Sequence, residues 1–134
     1  MPEHLFVGKS IPRTIEADKV TGKAVYIDDL KRPGMLYGKI LYSKHAQAKF
    51  KNRGTSKAEK LEGVRAVLTG QDIQDARVGF LKDQTVLKKD VVRQFRDEVA
   101  AVAAINPEIA EEAVDLIKVE YEKLPAVFDP FEAM

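Results

Sequence analysis

The chain has 134 residues, no cysteine and a formal net charge of +1, from 22 Lys and Arg against 21 Asp and Glu. This length fits one domain with its own hydrophobic core. The balanced charge gives no global field that would attract nucleic acid or an anionic membrane. The lack of cysteine excludes disulfides, thiolate nucleophiles and cysteine-held zinc or iron–sulfur clusters within these residues.

Neither a signal peptide nor a membrane-spanning segment is visible in the sequence. The opening residues, MPEHLFVGKS, lack a basic region followed by a long apolar stretch. No apolar run approaches the roughly 20 residues that a membrane-spanning helix needs. We therefore expect a cytoplasmic protein that contacts no membrane.

Alternating apolar residues bounded by turn residues predict several short strands. Residues 1–19 are expected to form an irregular lead-in, and 20–134 a single domain. Gly38 lies within a predicted strand and marks a bulge or a close backbone approach. The predicted strands lie at Lys23–Ile27, Met35–Ser43, Val64–Thr69, Val99–Ile105 and Lys118–Glu122. Residues 78–94 show no clean period, and Val86-Leu87 and Val91-Val92 are candidates for brief strands there.

A first main helix is predicted over roughly 56–62. Ser56 and Glu59 have the spacing of a capping box, in which Ser56 caps the helix and Glu59 reaches back to its backbone. Gly63 is placed to end this helix, since glycine tolerates the left-handed conformation that follows many helices.

A second main helix is predicted over roughly 106–117. Asn106 is a good N-cap, and Pro107 suits the first helical position. Acidic residues on this helix could suggest paired catalytic carboxylates, but a solvated face that opposes the helix dipole explains them without catalysis. These residues are Glu108, Glu111, Glu112 and Asp115.

Two histidines and one acidic pair are candidates for acid–base or metal chemistry. His45 is a candidate acid–base group because the unperturbed pKa of a histidine side chain lies near neutrality. Its neighbours Lys44 and Gln47 include no orienting carboxylate, which favours a loop histidine bonded to backbone. His4 lies in the terminus and is expected to be inert. Asp28-Asp29 lacks the further oxygen ligands that calcium requires, so a turn is favoured.

A local basic cluster surrounds one aromatic residue. Its members are Lys44, Lys49, Lys51 and Arg53, with Phe50 among them. Such a cluster could contact single-stranded nucleic acid, but the neutral total charge favours an exposed basic loop at a protein interface. No glycine pattern matches a P-loop or a dinucleotide-binding fingerprint.

Several segments, taken together and in order, carry a family resemblance over nearly the whole chain. They are Lys19–Asp29 (KVTGKAVYIDD), Pro33–Gly38 (PGMLYG), Ser43 with His45-Ala46 and Ala48, Thr55–Val64 (TSKAEKLEGV), Ala66–Ile73 (AVLTGQDI), Val99–Ala104, Ala110–Ile117 and Val119–Asp129 (VEYEKLPAVFD). This set resembles the N-terminal α/β hammerhead domain of the large, molybdenum-binding subunit of the xanthine dehydrogenase and aldehyde oxidase family. The closing region also resembles large subunits of the 4-hydroxybenzoyl-CoA reductase branch.

The resemblance implies an α+β fold, with a mixed sheet and two main helices. It implies that intact members hydroxylate or dehydrogenate heteroaromatic or aldehyde substrates at a molybdenum–pterin centre. Electrons then pass to iron–sulfur clusters and often to FAD. In the family the pterin-binding residues and the catalytic glutamate lie in later domains, so no catalytic, cofactor-binding or metal residue is transferred to this chain.

The same resemblance implies a structural and assembly role rather than an enzyme in itself. The implied partners are the rest of the molybdenum-binding subunit and the iron–sulfur and flavin subunits, with neither nucleic acid nor membrane among them. Two alternatives remain open. One is a small independent enzyme that uses His45 with a neighbouring carboxylate, and the other is an anion-binding module that uses Lys44–Arg53.

The chain departs from the family pattern at three places. Lys44 stands where the family usually has Pro, and Arg53-Gly54 stands where it usually has Ile-Asp. The family's Gly-Glu-Pro-Val turn is replaced by Arg96-Asp97-Glu98-Val99. Loss of that Gly and Pro changes the turn chemistry before the strand at 99–105.

Overall fold

A computed structural model describes residues 5–13, 15–74 and 77–134. Two compact units are present, an N-terminal unit that ends at Pro33 and a main unit over Gly34–Met134. Within the described residues, no helix combines the length and the apolar character needed to cross a membrane.

The described part of the N-terminal unit contains a short helix and a 3₁₀ turn. Helix α1 spans Glu16–Val20, within and just beyond the expected irregular lead-in, and the 3₁₀ turn spans Ile27–Asp29. The carboxylate of Asp29 accepts the backbone N–H of Tyr26 at 2.9 Å, which fixes this turn. The strand predicted at Lys23–Ile27 is wrong, because these residues form no strand pairing and their alternating apolar side chains remain exposed. The domain boundary expected at residue 20 stays a prediction.

The main unit contains eight strands and two helices among its described residues. In chain order they are β1 Tyr37–Tyr42, β2 Ala48–Gly54, α2 Ser56–Glu59, β3 Val64–Thr69, β4 Arg77–Val78, β5 Gln84–Thr85, β6 Val91–Val92, β7 Glu98–Ala104, α3 Pro107–Leu116 and β8 Lys118–Lys123. The expected α+β class is confirmed.

The strands form three sheets, and all their pairs in the described part of the chain are antiparallel, where a mixed sheet was expected. Sheet A has the order β1-β7-β3, sheet B has the order β6-β2-β8, and β4 pairs with β5 alone. The brief strand predicted at Val86-Leu87 is wrong, since pairing occurs just before it at Gln84–Thr85. The brief strand at Val91-Val92 is confirmed.

The first helix is shorter than predicted, and its cap lies one residue earlier. Thr55 is the N-cap, and its carbonyl accepts the Glu59 N–H at 3.0 Å. The Thr55 hydroxyl donates to the Glu59 carboxylate at 2.5 Å, so the capping box assigned to Ser56 is wrong. Gly63 has a φ of +91°, and a Cβ there would lie 2.6 Å from the Ile109 side chain. Glycine therefore lets this turn pack directly beneath α3.

The second helix and its cap agree with the prediction. The Asn106 side chain accepts the backbone N–H of Ile109 at 2.8 Å, and Pro107 occupies the first turn. Helix α3 covers one face of sheet A, where small side chains allow close packing. The buried cluster among sheet A, α3 and α2 contains Ala58, Ala100, Val102, Ala113 and Ile117. A second cluster joins Ala48 and Val92 of sheet B to Val99 of β7.

Candidate functional site

His45 lies in the loop between β1 and β2, where its backbone is fixed by Ser43. The His45 N–H donates to the Ser43 hydroxyl at 3.0 Å, and that hydroxyl lies 3.1 Å from the His45 carbonyl. The imidazole meets the ring of Tyr121 edge-on, with 4.8 Å between ring centroids. This is the arrangement expected of a structural loop histidine.

The imidazole of His45 has no carboxylate partner among the residues that the structure describes, so the pair required by an independent acid–base enzyme is not assembled here. Burial raises the pKa of the Tyr121 hydroxyl, while a hydrogen bond with Ser43 opposes that rise. A phenol with a raised pKa stays neutral near pH 7 and acts here as a packing and hydrogen-bonding group.

A bulge in β2 places an aromatic ring and a guanidinium on the same side of sheet B. The register between β2 and β8 shifts between Phe50 and Asn52, so Phe50 and Arg53 face the same way although they are three residues apart. The Arg53 guanidinium lies 4.1 Å from the Phe50 ring centroid. Phe50 in turn packs on Tyr121, with 5.4 Å between ring centroids.

Arg53 also binds a distant loop. One guanidinium nitrogen donates to the carbonyl of Lys88 at 3.0 Å, and the other donates to the carbonyl of Lys89. Desolvation lowers the pKa of Arg53, while Asp90, Tyr121 and Asp72 oppose that fall. Arg53 is therefore a structural link between sheet B and residues 88–89. Sequence analysis missed this role, although the departure of Arg53 from the family pattern marked the position.

The basic cluster consequently offers less free charge than its sequence indicates. Arg53 is committed to backbone carbonyls, and Lys49 lies directly across from Glu122 in the strand register. Opposite charges in such cross-strand pairs attract each other. Lys44 and Lys51 are exposed, so the arrangement resembles an ordinary solvated surface more than an anion-binding cradle.

Two open clefts lie on either side of residues 89–91. One has a volume of about 340 Å³ and is bounded by β2 residues 49–53, Gln71 and residues 89–91. The other has a volume of about 510 Å³ and is lined by side chains of both charges, which are Arg77, Asp83, Lys88, Lys89, Asp90, Arg93 and Asp97. Mixed charge and wide openings favour bound water over a tightly held organic ligand.

A buried ion pair forms part of the wall of the second cleft. The Asp97 side chain is 1% exposed and lies 3.5 Å from the ammonium of Lys88, which is 15% exposed. Asp97 also accepts the backbone N–H groups of Arg93 at 2.7 Å and Gln94 at 3.3 Å. Sequence analysis identified this turn only by its departure from the family pattern.

Arg96, next to Asp97, takes a φ of +67°. This left-handed conformation is costly for residues other than glycine, and Arg96 stands where the family pattern has Gly. The Arg96 guanidinium stacks at 4.9 Å over the ring of Tyr42, which partly offsets the cost.

Three of the remaining acidic candidates take part in local structure rather than in a site. Asp28 and Asp29 belong to the 3₁₀ turn. Glu111 of α3 pairs with Lys39 of β1 at 3.7 Å, as expected for a polar helix face. His4 lies outside the described residues.

Over residues 5–13, 15–74 and 77–134 there is no group of three or more His, Cys, Asp or Glu side chains that could hold a metal ion. None of the described residues is assigned to a molybdenum–pterin centre, and we derive no step through such a group. The prediction that this segment supplies no site residue stays a prediction.

Comparison with known proteins gives matches over most of the chain. The model of the aldehyde oxidase and xanthine dehydrogenase a/b hammerhead domain matches residues 21–125. A probable xanthine dehydrogenase component of Bacillus subtilis is 48% identical over 118 residues, which cover 87% of this chain and 16% of that protein. The carbon monoxide dehydrogenase large chain of Afipia carboxidovorans is 42% identical over 118 residues, covering 84% of this chain and 15% of that protein.

Solved structures show the same relationship. The carbon monoxide-reduced Cu,Mo-CO dehydrogenase superposes with a TM-score of 0.89 at 40% identity, covering 95% of this chain and 17% of that chain. The aldehyde oxidoreductase of Desulfovibrio desulfuricans gives a TM-score of 0.87 at 30% identity, covering 95% of this chain and 16% of that chain. The chain thus spans about one-sixth of the length of each of these four relatives.

Proposed function

The chain belongs to the aldehyde oxidase and xanthine dehydrogenase family as its α/β hammerhead domain, and on that premise we propose that it is the N-terminal structural and assembly domain of a molybdenum hydroxylase large subunit. In this role it packs against the molybdopterin-binding and electron-transfer portions. The observation that carries the proposal is the match of 95% of this chain to 17% of the Cu,Mo-CO dehydrogenase chain.

Exposed apolar side chains support an assembly role. Phe80 and Leu81, next to β4, are 101% and 77% exposed, and Phe128 and Phe131 near the end of the chain are 83% and 80% exposed. Large apolar side chains that lie exposed close to each other in the chain fit a surface that contacts another polypeptide.

The parent enzyme is proposed to carry out molybdenum chemistry outside this segment. One relative is the nicotinate dehydrogenase large molybdopterin subunit of Eubacterium barkeri, 35% identical over 128 residues. By analogy, we propose a molybdenum–molybdopterin parent in the cytoplasm, with iron–sulfur clusters and FAD in neighbouring subunits. The 4-hydroxybenzoyl-CoA reductase branch remains a prediction, to be tested by the parent's substrate.

A two-polypeptide experiment tests the assembly role. Residues 1–134 and the remainder of the parent subunit are expressed from separate reading frames, together and apart. We expect the two polypeptides to co-purify, with molybdenum and pterin held by the remainder, and we expect the remainder alone to be poorly assembled.

Two results would contradict this proposal. One is a remainder that binds molybdenum and pterin and is active without residues 1–134. The other is stoichiometric molybdenum and pterin on purified residues 1–134, measured by elemental analysis and pterin fluorescence. Salt-dependent binding of single-stranded nucleic acid would instead favour the basic cluster as a binding module.

A further inference from the structure

One face of sheet A is apolar and open, while α3 covers the other face. The strand register places two rows of three residues across β1, β7 and β3 on the open side. We define the open face by these six residues, which are Gly38, Ala103 and Ala66 in the first row and Ile40, Ala101 and Leu68 in the second. All six lie on the side opposite to Val102, which packs in the cluster beneath α3.

The open face lacks the polar residues that water-exposed sheet faces normally carry. Antiparallel sheets with one solvated face usually alternate apolar and polar residues. Here the charged residue of β1, Lys39, is on the helix side and pairs with Glu111. On the open side, Ile40 is 40% exposed and Leu68 is 42% exposed. Both faces of sheet A are therefore apolar, although only one of them is covered by a helix.

Gly38 gives a second, independent indication. A Cβ at Gly38 would have the Val102 carbonyl oxygen at 3.9 Å as its nearest neighbour, so nothing within the described chain requires glycine here. Glycine weakens a strand interior and often marks a place where another backbone approaches closely. Three of the other five positions are alanine, so few side-chain atoms project from this face. The space above Gly38 is therefore open to a backbone from outside these residues.

We propose that the open face is a docking surface for an apolar segment of the remaining large subunit, whose backbone passes closest to Gly38. This inference rests on the proposed function. The absence of charge on the six residues fits an apolar polypeptide and not a charged one. The four relatives whose coverage is given above extend well beyond the matched region, which is 15% to 17% of their length, so a subunit of similar length contains ample chain to cover this face.

Carbene footprinting tests the docking directly. Residues 1–134 are labelled alone and within the complex formed with the remainder of the subunit. We expect labelling of Ile40 and Leu68 to fall several-fold in the complex. The sheet edges and the solvent side of α3 provide internal references for overall labelling efficiency.

Variants test the same surface through assembly. Leu68→Lys is expected to lower the fraction of remainder that co-purifies about tenfold or more, because an unpaired ammonium in an apolar interface is strongly unfavourable. Gly38→Leu should act in the same direction by blocking the close approach. Leu68→Met is the matched conservative control and is expected to retain assembly.

The isolated variants provide the second measurement. Because Leu68 is partly exposed in the chain alone, Leu68→Lys should keep the circular dichroism and thermal midpoint of the parent chain. A variant that assembles poorly while folding normally locates the defect at the interface.

Each remaining result overturns the inference in a recognisable way. If the chain assembles but Ile40 and Leu68 stay labelled, and Leu68→Lys assembles normally, the docking surface is elsewhere and the proposed function still stands. Ile40 and Leu68 could instead be protected already in the chain alone, by its own residues or by a second copy seen in light scattering. In that case the open face is not the docking surface for the remaining large subunit. If the chain never associates with the remainder, both the inference and the proposed function fail.

Discussion

Residues 98–123 and residues 70–97 are adjacent in the chain, but different kinds of contact stabilise them. The first segment forms β7, α3 and β8, which bury Ala100, Val102 and Ala113 in one apolar cluster. The strands described in the second segment have two residues each, and it is stabilised by an ion pair, by a backbone contact at Gly70 and by Arg53.

The difference shows how each kind of stability is encoded. Many small apolar contacts repeat with the period of the helix or strand, so that no single residue among them is decisive. In residues 70–97, by contrast, a few polar contacts provide much of the stability, so it depends on single residues. Substitutions should therefore have their largest and most local effects in residues 70–97.

Asp97→Ala should have the largest effect. It leaves the Lys88 ammonium without its most buried partner and removes the acceptor for two backbone N–H groups, at a cost of about 3 kcal/mol of unfolding free energy. Denaturant unfolding measures this loss, and hydrogen exchange should show that residues 91–94 lose protection while β7 keeps it. Asp97→Asn keeps an acceptor oxygen and should cost less. Equal, small losses for both variants would show that the ion pair contributes little.

Gly70→Ala should have the next largest effect. Its Cβ would lie 2.6 Å from the Lys88 carbonyl carbon and 2.8 Å from the Lys89 Cα, so backbone must move. We expect a loss of about 2 kcal/mol in thermal or denaturant unfolding. Gly38→Ala is the matched control, because its nearest neighbour is 3.9 Å away, and it should be neutral or slightly stabilising. Similar losses at both glycines would contradict the close contact at Gly70.

Asn106→Ala tests the better-predicted segment. It removes the side-chain oxygen that accepts the Ile109 N–H at 2.8 Å, which should cost about 1 kcal/mol of unfolding free energy. Asn106→Asp keeps an acceptor at the helix start and should therefore retain most of the unfolding free energy that Asn106→Ala loses. The loss should be smaller than that caused by Asp97→Ala. A larger loss for Asn106→Ala would contradict the conclusion that single residues matter most in residues 70–97.

Asp72 should give the smallest effect, visible in the pH dependence of stability. Its carboxylate accepts the Thr69 hydroxyl and backbone N–H, each at 2.7 Å, and these bonds lower its pKa below the ordinary value of 3.8. Because the folded pKa lies below the unfolded one, the stabilisation is present above the unfolded pKa and is lost as the pH falls through the folded pKa.

Asp72→Asn should therefore be slightly less stable than the parent chain at neutral pH, and the difference should shrink at an acidic pH well below the ordinary carboxyl value of 3.8. Unfolding in denaturant at both pH values measures it. A difference that does not change with pH would assign the effect to something other than the charge of Asp72.

The sequence was sufficient to predict the elements whose residues repeat with a clear period. Strand β3, strand β7 and helix α3 with its Asn106 cap follow the predicted positions within one residue at each end. The strand at Lys23–Ile27 fails because alternation shows where side chains can point, not whether a partner strand is available.

The contacts among Arg53, Phe50 and Tyr121 could not be predicted, because Arg53 meets Phe50 only through the bulge in β2 and Tyr121 is far away in the sequence. The only signal was indirect. Arg53 and Arg96 both stand where the family pattern has other residues, and both make specific contacts in the structure.

The bulge in β2 has a consequence for how this domain can change during evolution. The register shift between Phe50 and Asn52 brings Arg53 to the side of Tyr121, from which it reaches residues 88 and 89. A regular strand of the same length would turn the guanidinium toward the opposite side, whereas loss of the extra residue would leave Phe50 and Arg53 two residues apart and still on one side. Changes in the length of β2 should thus be tolerated only where Phe50 and Arg53 stay on the same side, even though its outward-facing lysines are free to vary.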